Sequence, residues 1–183
     1  MRKISVIQPG ARLHYAVPQI FAQAGLLNFL YTDLHADHAF LKPFAPLGRH
    51  RNAPAAVRRL FGRRLPDGLP PRLVRDMPIR ALQAILTNEG AAIAKALLRK
   101  LEAASLGEGD AVYTVLVNED LETMRRLKDR GVKIIHECMI GPDVGLHLIK
   151  ERQLFPGVEP VSNLAEIEAG RASDREKYAL SDL

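Results

Sequence analysis

A chain of 183 residues, 47% apolar and 26% charged, has the length and composition of one α/β domain with a sizeable core. No apolar run approaches the roughly 20 residues of a membrane span, the first residues lack a signal-peptide core, and the single cysteine, Cys138, excludes an internal disulfide and a multi-cysteine metal site. The net charge of +5 is unevenly laid out: residues 1–100 hold 16 Lys/Arg against 5 Asp/Glu, and residues 101–183 hold 10 against 16.

The chain opens with Lys3-Ile-Ser-Val-Ile-Gln8, a β-branched run predicting a strand over 3–8. It leads into a loop at Pro9-Gly10 and then an apolar helix ending near Gly25. This is the first strand, turn and helix of a βαβ unit, where such sheets place their ligands. The loop has one glycine, so the G-x-G-x-x-G dinucleotide fingerprint is absent. It carries Arg12, His14 and Tyr15, which suit a hydroxylated or anionic ligand at a helix N-terminus. The same residues also read as two solvated loop side chains with Tyr15 packed under the helix.

Residues 28–33 read as a second, parallel strand. The excursion over 34–53, with His35, His38, His50 and two prolines, is long for a connection in a compact domain. His35 and His38 have no acid or third histidine at metal-ligand spacing, which favours structural roles. Nine arginines lie between Arg49 and Arg80, opposed only by Asp67 and Asp76, a segment that attracts phosphates or forms a solvated face. Within it, Pro54–Arg64 predicts a short basic helix. Val57, Leu60 and Phe61 form its apolar stripe, and Arg58, Arg59, Arg63 and Arg64 fill the rest. Such a helix either lies on an anionic membrane or caps its own domain. Leu73-Val74 is a weak strand candidate.

Ile79–Ala104 is periodic in Leu and Ile, including Ile85 and Leu86, with Gly90 kinking it or dividing it in two. Residues 111–117 predict a buried strand. Asn118-Glu119 then caps a helix that runs to Arg130 and stops at Gly131. The strand over 132–137 ends on His136 and Glu137, at the carboxyl edge where parallel sheets hold their sites. Gly141-Pro-Asp143 starts a helix over Val144–Gln153, a turn follows at Phe155-Pro-Gly157, and a polar helix covers Asn163–Ser181. The alternation implies a doubly wound parallel sheet with helices on both faces. The ending Ser181-Asp-Leu183 reads as a turn into a further strand, so a longer protein is expected.

Lys3–Gln8 with Gly10-Ala-Arg-Leu-His-Tyr-Ala-Val-Pro18, Val112-Tyr-Thr-Val115, Gly131-Val-Lys-Ile-Ile-His-Glu137 and Arg175–Leu183 resemble family 4 glycosyltransferases. The resemblance spans the chain except 40–75. It implies the N-terminal, acceptor-side Rossmann-like domain (1–183) of a two-domain GT-B enzyme, with the donor-binding domain outside this chain. By that resemblance Gly10, Arg12 and His14 approach the phosphates of a nucleotide-sugar donor. His136 lies near the acceptor sugar, and Glu137 accepts from a sugar hydroxyl or acts as base. His136-Glu137 also reads as a plain polar strand end. The glutamates near 159–168 do not match the family's donor motif.

The expected activity is transfer of a hexosyl group from a nucleotide sugar to a hydroxyl acceptor, a glycan or a lipid-linked one, incomplete in this chain alone. The resemblance implies retention of anomeric configuration and no cofactor, and no Asp-x-Asp triplet or metal set is present. A cytoplasmic protein is expected, with peripheral attachment to an anionic membrane through Arg58, Arg59, Arg63 and Arg64. The alternative is a non-catalytic domain binding anionic lipid or nucleic acid through its basic surface. No helix-turn-helix, zinc-finger or RNA-binding signature favours nucleic acid. A nucleotide-sugar epimerase lacks its glycine fingerprint here, and a response regulator its acidic cluster.

Overall fold

The computed structural model describes residues 3–87, 90–116, 120–137, 143–155, 157 and 163–182. The β-branched runs become β1 (Ile4–Ile7), β2 (Leu27–Tyr31), β3 (Val74–Arg75), β4 (Ala111–Thr114) and β5 (Lys133–His136). They form one all-parallel sheet in the order β3-β2-β1-β4-β5. Helices flank it, and the fold is Rossmann-like. β1 and β5 are one residue shorter at each end than the expected runs and β4 stops three residues early, whereas β2 starts one residue earlier than expected and ends two earlier; Val117 lies outside the described residues. Between Ile4 and Val6, β2 inserts an extra residue opposite β1, a bulge that pairs Ile4 with Leu27 and Val6 with Leu30.

Side-chain alternation along β1 sends Val6 and Ile7 to opposite faces, and each face has its own core. Val6, Tyr15, Leu27, Leu30, Leu69 and Val74 pack on the face covered by α1 (Ala16–Gln23), with Phe21 of that helix against them. On the other face Ile7, Val112 and Ile134 meet α5 (Gly90–Glu102) through Leu97, Leu98 and Leu101, and α6 (Leu121–Asp129) through Met124 and Leu127. The expected Ile79–Ala104 segment is two helices, α4 (Pro78–Thr87) and α5; Asn88 and Glu89 lie outside the described residues.

The excursion after β2 holds more structure than a loop: a 3-10 turn at Lys42–Phe44, α2 (Ala45–Arg49) and α3 (Ala55–Phe61). The expected Pro54–Arg64 helix stops at Phe61 with Gly62 as its C-cap, so Arg63 and Arg64 lie beyond it. Leu60 and Phe61 pack against the core, the domain-capping alternative for that apolar stripe. Gly48 of α2 lies so close to α3 that an added Cβ would stand 2.3 Å from the Phe61 Cβ.

Asp120 caps α6, accepting from the Thr123 N–H at 3.1 Å. The expected cap, Asn118-Glu119, lies outside the described residues, as do Cys138, Gly141, Pro142, Pro156, Glu159 and Leu183. Gly131 follows α6 with a φ of +79°, the left-handed stop its position suggests. The last helices are α7 (Val144–Leu154) and α8 (Leu164–Leu180), the latter capped by Asn163. Beyond α8, Asp182 lies along the outer edge of β5. Its N–H donates to the Ile134 carbonyl at 2.7 Å, and its carboxylate accepts from the Ile134 N–H at 2.7 Å and Lys128 Nζ at 2.8 Å.

Burial alone would raise the Asp182 carboxyl, but Lys128 and the Ile134 N–H outweigh it and hold its pKa below the ordinary value. Its contribution to stability is therefore full above the ordinary aspartate range and lost as pH falls through the lowered pKa. Asp182→Ala is expected to destabilise the fold by about 1.5–3 kcal/mol at neutral pH. In urea titrations the difference from wild type should shrink toward zero in strong acid; a pH-independent difference would contradict this account.

Candidate functional site

The strand order reverses direction at β1, which has β2 on one side and β4 on the other. The crevice outside the carboxyl ends there is where a doubly wound sheet can seat a ligand. Two ion pairs close over it. Arg12, on the loop after β1, donates from Nε at 3.0 Å and Nη2 at 2.5 Å to Glu137 Oε1, just past β5. The other oxygen of Glu137 accepts from the Tyr113 hydroxyl of β4 at 2.8 Å. Burial, with Glu137 beside it, pushes the Tyr113 pKa up to about 12, so the hydroxyl stays a donor. Tyr113 is itself held edge-on by Phe21 of α1.

The second pair lies on the β2 side. Arg63 Nη1 donates to Asp33 Oδ2 at 2.5 Å, and Asp33 Oδ1 accepts from the Gly10 N–H at 2.8 Å and the Thr32 hydroxyl at 3.2 Å. Gly10 has a φ of +71°, and a side chain there would reach the Arg63 guanidinium at 3.8 Å. Glycine is thus needed for backbone conformation, and it leaves the approach to that guanidinium open. The Gly10 N–H is engaged by Asp33, so its amide reaches an anion only if Asp33 lets go.

Between these pairs the backbone is strained. Leu13, His14 and Tyr15 have φ values of 48°, 51° and 60°, three consecutive left-handed residues without a glycine. At about 1–2 kcal/mol each, this turn costs roughly 3–6 kcal/mol. Compensation comes from Gln8, whose Nε2 donates to the Arg12 carbonyl at 2.8 Å, and from Tyr15, 0% exposed in the α1-side core. Backbone outliers of this kind gather at ligand sites.

Of the residues singled out from sequence, the structure gathers Gly10, Arg12 and Glu137 at one crevice. His14 is beside it and exposed. Tyr15 lies in the core, the packed alternative of the sequence reading, where its ring supports the loop from within and burial pushes its hydroxyl up to about 12. Arg63 pairs with Asp33 beside Gly10, whereas Arg58, Arg59 and Arg64 are exposed on the surface.

His136 shares the carboxyl edge with Arg12, but strand alternation turns its ring to the opposite face from Glu137. There it meets the Tyr178 ring of α8 edge-on at 5.9 Å, and its Nδ1 is buried without a hydrogen bond. Burial, then the nearby Lys177 ammonium, lowers its pKa below 6.5, so the imidazole is neutral at pH 7.

Asp33 and Tyr113 escaped the sequence reading. An acid ending the second strand about 20 residues after the first loop was an available signal. Tyr113 gave none, since its hydroxyl is defined only by a partner 24 residues away. Asp76 supplies the acid absent near His35 and His38, with its Oδ2 at 3.3 Å and 3.9 Å from their Nε2 atoms. Burial lowers the pKa of His35. Among the described residues, however, no group of three or more His, Cys, Asp or Glu is arranged to hold a metal ion.

Two measurements test this geometry. Leu13 is 61% exposed, so Leu13→Gly removes little packing and relieves one strained φ; it should raise stability in urea by about 0.5–1 kcal/mol. Lys177→Met should raise the His136 titration midpoint seen by NMR, because a cation disfavouring imidazolium is gone. An unchanged midpoint would remove Lys177 from the account. No protein-family model matches this chain, and no curated protein or solved structure matches it either.

Proposed function

We propose that this chain is the acceptor-side domain of a glycosyltransferase, binding the phosphates of a nucleotide sugar at the crevice after β1. One observation carries the reading: two guanidiniums, Arg12 and Arg63, flank Gly10 at the point where the sheet order reverses. Each is held by a carboxylate, so an entering diphosphate exchanges Glu137 and Asp33 for its own oxygens. Guanidinium–phosphate pairs are bidentate and charge-assisted, which suits this exchange. The strained turn between the pairs and the resemblance of the first loop to family 4 glycosyltransferases add support.

In this reading Glu137 positions Arg12 rather than acting as base, because both its oxygens are engaged by donors. His136 keeps the acceptor-side role that the resemblance assigns it: a neutral imidazole can accept from, or donate to, a sugar hydroxyl. Chemistry at the anomeric carbon needs the leaving phosphate stabilised in a site closed to water. The resemblance assigns most of that stabilisation to a second domain.

The test is calorimetric titration of the full chain with inorganic pyrophosphate and with UDP and GDP. Binding is expected, weakened about tenfold or more by Arg12→Gln, the loss of a charge-assisted hydrogen bond. No nucleotide should be released from nucleotide sugars by this chain alone. Failure to bind any of these anions, or binding indifferent to Arg12, would overturn the proposal.

A further inference from the structure

From Phe40 to Arg49 the chain turns almost continuously, through the 3-10 turn into α2. Helical spacing divides it into two faces. Leu41 is buried in the core, and Gly48, seven residues on, packs against Phe61 of α3. Phe40, Phe44 and Leu47, at i, i+4 and i+7, face outward and are 41%, 53% and 56% exposed. Three large apolar side chains on one exposed face are more than the scattered surface hydrophobes of an ordinary domain.

Charge identifies what covers them. Between Asp37 and Asp67 the sequence has seven Lys/Arg and no acid. Lys42, Arg58 and Arg59 are exposed on this helical hairpin. Of the stripe expected from sequence, Val57, Leu60 and Phe61, the last two pack against the core, and Arg63 pairs with Asp33.

We infer that the α2–α3 hairpin docks on an anionic lipid surface, with Phe40, Phe44 and Leu47 dipping into the interface and the surrounding cations on the headgroups. Exposed aromatic and aliphatic side chains on a segment rich in Lys/Arg and without acids have the chemistry of interfacial binding. Each cation near an anionic leaflet strengthens binding about fivefold. The docking is independent of the glycosyltransferase reading, since it uses no crevice residue.

The chain has no tryptophan, so Phe44→Trp installs a single reporter. Leu154→Trp, exposed on α7, which packs against α8 beyond the β5 side, is the control. Vesicles of phosphatidylcholine with and without phosphatidylglycerol are the probe. Expected are a blue shift of the Phe44→Trp variant's emission with anionic vesicles only, no shift for the control, and weakening by salt. Phe44→Ser/Leu47→Ser, with its fold checked by circular dichroism, should reduce vesicle binding roughly tenfold per side chain. Arg58→Gln/Arg59→Gln should reduce it about fivefold per charge. Equal binding to neutral and anionic vesicles, or an unshifted reporter in the Phe44→Trp variant, overturns the proposal. So does vesicle-inert protein whose self-association is lost in the serine variant, which assigns the face to a second copy of the chain.

Discussion

β1 carries the architecture because it is paired along both edges, to β2 and to β4, within only four residues. The chain lays β2 and β3 on one side of it, then crosses to lay β4 and β5 on the other. Helices linking strands on opposite sides must cover opposite faces, which is why there are two cores. It also fixes where the loop after β1 emerges: over the gap between the two halves. The left-handed turn is the route by which the backbone leaves this gap and enters α1 while Tyr15 stays buried. Residues far apart in sequence, such as Arg12 and Glu137, therefore meet above β1 and β4.

The two ion pairs there stand between familiar limits. Exposed pairs contribute about 0–1 kcal/mol, whereas breaking a fully buried one costs about 3–5 kcal/mol. The Arg12 and Glu137 side chains are 34% and 19% exposed, and those of Arg63 and Asp33 30% and 13%. In both the acid is the better buried partner, and both acids take further donors, from Tyr113 or from Gly10 and Thr32. The carboxylates are thus anchored, and the arginines, on loops, are the parts able to change partner.

Periodicity revealed the strands and the long helices because burial on both faces of a parallel sheet leaves near-continuous apolar runs. Val112 and Ile134 are such signals, and Gly131 marks its helix end by backbone sterics. Part of the excursion was illegible for a physical reason. α3 showed in the spacing of Val57, Leu60 and Phe61, but α2 is only five residues long with Pro46 in its first turn, and the two hold together through a close approach at Gly48 that no local pattern announces. Arg63 was one arginine among nine in its segment, and only folding separated it from Arg58 and Arg59. The loop residues Gly10 and Arg12 stood out by position, but their partners did not, because pairing across 23 and 125 residues is a property of the sheet order.

Open parallel sheets end in two edge strands, and an exposed edge invites pairing with another chain. Here β3 is two residues long, too short to template a neighbour. At the opposite edge, Asp182 takes both the N–H and the carbonyl of Ile134 in the middle of β5, one with its carboxylate and one with its backbone. A strand arriving from another molecule would have to displace a charged side chain and its Lys128 partner before making its first ladder bond. Among the described residues the sheet is thus guarded at both margins against edge-to-edge pairing, by brevity on one side and by a carboxylate on the other.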